Sequence, residues 1–133
     1  MSSSYTSNFK VRLDDLDYMG IVGNAQWLIF LERTRIELLE ALGFPFADMQ
    51  KKGVGGVVAR AEVNYLRPAR FGDVLSVQTT PKVSGESSVQ LSHSALSASG
   101  KEFIRAEISI VFVGSDGRPV SMPPEVKSAL ERG

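Results

Sequence analysis

Residues 24–45 read NAQWLIFLERTRIELLEALGFP. Trp27, Leu28, Leu31, Leu38, Leu39 and Leu42 recur at helical spacing, while Glu32, Arg33, Arg35, Glu37 and Glu40 supply a polar side. That period belongs to an amphipathic helix. Asn24 is a residue type that caps helix starts, and Gly43 followed by Pro45 marks a stop. The pattern predicts one long helix over residues 25–42, with 46–51 adding a helical turn.

On either side the period changes to two. Upstream, Phe9, Val11 and Leu13 alternate with Asn8, Lys10 and Arg12, as a half-buried strand does. Downstream, Val57, Ala59, Ala61, Val63 and Tyr65 alternate against Val58, Arg60, Glu62 and Asn64. Val74 to Ser84 makes a further strand, in which Pro81 predicts an edge or a bulge. Val89, Leu91, His93 and Ala95 mark the next, and Ile104, Ala106, Ile108, Ile110 and Phe112 a long one. Phe103, Val111 and Val113 put apolar groups on the other face of that last strand, and residues 124–131 read as a short helix.

Short turns between consecutive strands favour antiparallel neighbours. One long helix against one antiparallel sheet is an α+β domain, and the broad apolar side of the helix predicts a sheet curled around it. The mixed outer face, with Val and Phe beside Arg60 and Glu62, predicts burial against a second subunit.

The bulk numbers bound what this domain does. The chain has 133 residues and a mass of 14.5 kDa, which predicts a single domain spanning 1–133. Its 15 basic and 15 acidic side chains cancel, so the basic excess of a nucleic-acid binder is missing. Without cysteine there is no thiolate metal site, disulfide or cysteine nucleophile, and a single histidine excludes multi-histidine metal centres. No metal and no redox cofactor are therefore expected. The polar start MSSSYTSNFK and the lack of any apolar run of about 20 residues predict a cytoplasmic protein with no membrane segment.

Chemistry concentrates just before the helix, in LDDLDYMGIVGNAQW, residues 13–27. Asp17 lies a few residues upstream of a helix start, where unpaired backbone N–H groups and the positive end of the dipole stabilise negative charge. Such a start suits an oxyanion forming on a carbonyl, and a nearby carboxylate attacks that carbonyl or activates water. Gly20 and Gly23 let backbone come close to a ligand. The competing reading is an acidic turn that merely caps the helix. On that reading Asp14 is solvated and Asp15 bonds the turn. The DxD after a strand is also found in aspartyl phosphotransferases, but those need a parallel, doubly wound sheet that this pattern lacks.

Two stretches, DLDYMGIVGNAQWLIFLERTR and VNYLRPARFGDVLSV, together resemble the 4-hydroxybenzoyl-CoA thioesterase-like group of hotdog-fold acyl-CoA thioesterases. The resemblance covers roughly residues 8–124 and implies a curled antiparallel sheet wrapped around one central helix. It implies hydrolysis of an acyl-CoA or acyl-carrier-protein thioester to acid and thiol. Asp17 takes the place of the catalytic carboxylate, as nucleophile or general base, and Asn24 that of the residue whose backbone N–H polarises the thioester carbonyl. Gly20, Ile21, Val22 and Trp27 would bind substrate, with Val58, Ala59 and Arg60 coming from a second chain. The active site would thus lie at the interface of a homo-oligomer, dimer or tetramer.

Arg67, Arg70 and Lys82 are the candidates for the CoA phosphates, since the 82–87 turn carries one lysine where some relatives have several basic residues. Trp27 stands where the group often has tyrosine, so no hydroxyl acts there. Two rivals remain: a module that binds acyl thioesters without turning them over, and a hotdog dehydratase or hydratase. The histidine motif of the latter is missing, and His93, in phase with Leu91 and Ala95, reads as structural. Glu32 and Glu37 read as a solvated helix face with i,i+4 pairing.

Overall fold

The computed structural model describes residues 4–132. Five strands form one antiparallel sheet: β1 (Tyr5–Lys10), β2 (Val54–Tyr65), β3 (Val74–Val83), β4 (Ser88–Leu96) and β5 (Glu102–Gly114), in the order β1-β3-β4-β5-β2. Helix α1 (Asn24–Ala41) links β1 and β2, which occupy opposite edges. Its 18 residues span about 27 Å, enough to cross a five-stranded sheet about 19 Å wide. α2 (Phe46–Lys51) packs on α1 and β2, and α3 (Pro124–Glu131) packs on β3.

The core follows from the two periods meeting. Trp27, Phe30, Leu31, Thr34 and Leu38 form the buried stripe of α1. They press on Leu75, Val77, Leu91, Ile104, Ala106, Ile108 and Ile110 from the inner sheet face. Phe9 stacks on Phe30 at 4.9 Å. Thr34 is completely buried, and its hydroxyl is satisfied by donating to the Phe30 carbonyl at 2.9 Å. Pro81 lies two residues past Thr79, the last β3 residue paired to β1, so it sits where β3 has become a local edge.

Several expectations change. The N-cap of α1 is Gly23, and Asn24 is the first helical residue, so its side chain caps nothing. A bulge between Val58 and Arg60 flips the alternation of β2. Val58, opposite buried Ile110, shares the inner face, and Val57, opposite Val111, the outer one. A second irregularity, between Ala95 and Leu96, lets Phe103 turn inward beside Ile104 instead of adding to an apolar outer face. The outer face of the central strands is polar: Ser92 bonds Glu107, and Ser109 bonds Gln90. Glu37 is not solvated. It is half-buried and accepts hydrogen bonds from Tyr5 and Ser7 of β1.

The β2 edge leaves apolar surface open. All of Gly55–Glu62 is exposed, with Val57 and Val58 each at 47%, and Leu28, Ile29 and Ile36 of α1 are exposed as well. Among the described residues, no helix is long and apolar enough to cross a membrane.

Candidate active site

Between β1 and α1 the chain makes a tight reversal. A 3-10 turn at Leu13–Asp15 is followed by a loop that closes on Asp17. The Asp17 N–H donates to the Ile21 carbonyl at 2.8 Å, and the Gly20 N–H donates back to the Asp17 carbonyl at 3.0 Å. Gly20 has φ +76°, a conformation that glycine adopts without a Cβ penalty. The Asp17 carboxylate accepts the Met19 N–H at 2.8 Å through Oδ1.

This loop is stitched to the turn carrying the second motif. The Val22 N–H donates to the carbonyl of fully buried Ala69 at 2.9 Å, and Ile21 bridges Arg70. RPARFGD is thus the platform that holds Asp17's loop, which gives the two separated stretches a physical reason to occur together.

The three aspartates divide their work. Asp14 forms an exposed ion pair with Arg12, whose guanidinium donates to its carboxylate and holds that carboxyl below its ordinary range. Asp15, only 6% exposed, accepts the Arg12 N–H at 2.8 Å and the Gln26 side-chain amide at 3.0 Å. Its carbonyl also accepts the Gly23 N–H at 3.2 Å. Asp15 therefore ties the turn to the first turn of α1. Asp17 is exposed, and a Cβ placed on Gly23 would lie 3.7 Å from the Asp17 Cβ. Asp17 thus stands beside the start of α1, where no side chain caps the N–H groups and no acidic residue occupies the first turn. Tyr65, at the end of β2, closes the arrangement by donating its hydroxyl to the Asn24 carbonyl at 3.2 Å.

Other expected site residues divide by position. Gly20 and Ile21 lie in the loop with Asp17. Val22 and Trp27 are core residues: Trp27 is 2% exposed and packs edge-on against Phe30 at 5.7 Å, so it supports the helix start from below. Arg67 and Arg70 flank Ala69 near the loop, whereas Lys82 is eight residues along β3 from Val74, about 26 Å away along an extended strand. Val58, Ala59 and Arg60 sit five to seven residues before Tyr65, about 17–23 Å from the Asn24 end of the strand. Within one chain they do not meet Asp17, and Arg60 is paired with Glu62 at 2.8 Å.

The sequence reading missed Gln26, which braces Asp15, and Tyr65; only the register of β2 against α1 reveals them. His93 lies in the core, 2% exposed, and burial, with a smaller effect from the Arg35 charge, lowers its pKa to about 4. Among the described residues no cluster of three or more histidines, aspartates or glutamates could hold a metal ion.

A sequence model of the thioesterase-like superfamily matches residues 11–130. The chain belongs to that family: it is a hotdog-fold thioester hydrolase of the acyl-CoA thioesterase kind. It is 30% identical to the acyl-CoA thioester hydrolase YbgC of Escherichia coli over 115 residues, 86% of this chain and 83% of that one. It is 39% identical to the putative acyl-CoA thioesterase YneP of Bacillus subtilis over 70 residues, 53% of this chain and about half, 51%, of that relative. The fold is shared with a 1,4-dihydroxy-2-naphthoyl-CoA thioesterase from Synechocystis, with TM-score 0.89 and 20% identity over 96% of both chains.

Proposed function

We propose that this chain is an acyl-CoA or acyl-carrier-protein thioesterase in which Asp17 acts on the thioester carbonyl and the Asn24 N–H polarises it. The observation that carries the reading is Asp17, its Cβ next to Gly23, beside an uncapped helix start with no acid in its own first turn. As general base, Asp17 takes a proton from water and the hydroxide adds to the carbonyl. As nucleophile, it adds to the carbonyl directly and water then hydrolyses the anhydride. On both routes the oxyanion rests on the N–H groups of α1, the C–S bond breaks, and the thiolate leaves with a proton. A donor of this kind contributes about a hundred- to a thousandfold in rate.

The working unit in this reading is one domain per chain, assembled as a homo-oligomer. A 12-residue edge strand exposed over most of its length, with half-exposed valines, supports pairing of β2 with its own copy. Pairing about the strand's midpoint sets Val58, Ala59 and Arg60 of the two chains opposite one another, on the seam between the two Asp17 loops, where they would line the acyl pocket. Arg70, bridged to the Asp17 loop, and Arg67 nearby would contact the phosphates of CoA, and Lys82 would serve only from another subunit. A cytoplasmic setting goes with substrates of this kind.

The test is thiol release from a panel of acyl-CoAs, with the products identified. Free acid and free thiol in equal amounts are expected. Tight binding without release would make the chain a binding module, and a hydrated or dehydrated acyl-CoA product would make it a lyase.

A further inference from the structure

A half-open cavity of about 600 Å³ lies at the far half of α1, away from Asp17, lined by α1, α2, the start of β2 and the inner faces of β4 and β5. Its volume falls within the range, about 300–1,000 Å³, of pockets that enclose a whole small ligand. Its walls are apolar: Leu39, Phe44, Met49, Val54, Ile110 and Phe112 among them. Its charged members, Glu32 and Arg35, are turned on each other at 3.6 Å, and the Glu32 side chain is 60% exposed. The floor is shaped by backbone rather than side chains. A Cβ on Gly56 would stand 2.8 Å from Ile110 Cγ2, so the Ile110 methyl takes the space a side chain there would need, and Gly55 beside it adds no bulk.

Topology says which carboxylate this cavity serves. α1 runs from Asp17's loop toward the cavity, and β2 runs back from Val54, in the cavity wall, to Tyr65, bonded to Asn24. Within one chain the cavity begins at Glu32, eight residues or about 12 Å along the helix beyond Asn24, past the Glu32–Arg35 pair. Antiparallel pairing of β2 with its own copy about the strand's midpoint sets Val54 of each chain beside Tyr65 of the other. The cavity of one copy then adjoins the catalytic loop of its partner.

We propose that this cavity receives the aliphatic tail of an acyl thioester whose carbonyl is held at Asp17 of the second copy, so that the preferred substrates are medium- and long-chain fatty acyl thioesters. The inference rests on the thioesterase reading and on the paired β2 edge. A long aliphatic chain fills a cavity of this volume where a single ring leaves most of it empty, and it brings no hydrogen-bonding group that the walls would leave unpaired. Each methylene moved from water into such walls strengthens binding by about fourfold.

The experiment measures kcat/KM for butanoyl- to dodecanoyl-CoA and for benzoyl-CoA. A rise of about fourfold per methylene until the cavity fills is expected, with decanoyl-CoA at least a hundredfold above butanoyl-CoA and above benzoyl-CoA. A flat profile, or a preference for benzoyl- or butanoyl-CoA, overturns the inference and leaves the thioesterase reading standing; no thiol release from any acyl-CoA overturns both. Val54→Phe fills the cavity and is expected to lower the decanoyl-to-butanoyl ratio at least tenfold, and an unchanged ratio contradicts the assignment. Mixed dimers of Asp17→Asn with Val54→Phe chains separate the two geometries. Decanoyl-CoA turnover at their one intact pairing supports the cavity acting across the interface, and its absence alongside butanoyl-CoA turnover refutes that. Inhibition of the unmodified protein by free fatty acids, tightening with chain length, supplies the same test if Val54→Phe does not fold, and inhibition independent of chain length overturns the proposal.

Discussion

Lowering the pH from about 7 to about 4 is expected to remove roughly 3 kcal/mol of folding free energy through His93 alone. The ring is buried opposite Thr79, whose Oγ1 lies 2.6 Å from Nδ1, and Nε2 has no hydrogen-bond partner among the described residues. A proton added to the ring would leave an N–H unpaired in an apolar core with the Arg35 charge nearby, so burial first and Arg35 second push the pKa down to about 4 from 6.5. The folded value is the lower one, so the unfolded chain binds the extra proton. Stability contributed by neutral His93 is complete above about pH 6.5, falls as the pH drops through the window from 6.5 to about 4, and levels off below it. Urea unfolding at half-unit pH steps, in parallel with His93→Gln, isolates this contribution, because the variant should lack the slope between pH 6.5 and 4.5. His93 is the chain's single histidine, so its imidazole resonance can be followed without ambiguity. A ring that titrates near 6.5 in the folded protein, or equal slopes in the two proteins, would refute the reasoning.

Other substitutions probe the site itself. Asp15→Ala removes the acceptor for Arg12 N–H and Gln26 and should cost about 1–3 kcal/mol, read as a drop in the urea midpoint, together with reduced thiol release. Gly23→Ala meets the Asp17 Cβ at an ordinary 3.7 Å, so the fold should survive thermal melting unchanged. The methyl group nonetheless narrows the gap between carboxylate and helix start, and kcat should fall by up to about a hundredfold, as for a misplacement of about 1 Å. Val58→Glu puts a charge on the inner side of the exposed β2 edge, and light scattering should then find a smaller assembly that has also lost thiol release.

Where a period repeats, the fold was legible. The stripe of Trp27, Leu31 and Leu38, and the alternation through Leu91 and His93, placed α1 within one residue at each end and β4 with its inner face correct. What escaped was local and geometric. Bulges carry no reliable signature in a run such as VVARAE, so the flip that turns Val58 inward was invisible, as was the one that turns Phe103 onto Trp27. Glu37 looked like one more solvated acid because its partners, Tyr5 and Ser7, are 30 or more residues away. The roles of Asp14 and Asp15 followed from residue type and crowding, but Gln26 and Tyr65 join the site only through tertiary register. The cavity depends on two glycines and the path of β2, and periodicity says nothing about empty space.

The central claim is that Asp17 performs the chemistry. Thiol release by Asp17→Asn, beside the unmodified protein and with matched melting curves and assembly size, tests it most directly. The account predicts a kcat lower by about a hundred- to ten-thousandfold with acyl-CoA binding retained. Activity within a few-fold of the unmodified protein would contradict it.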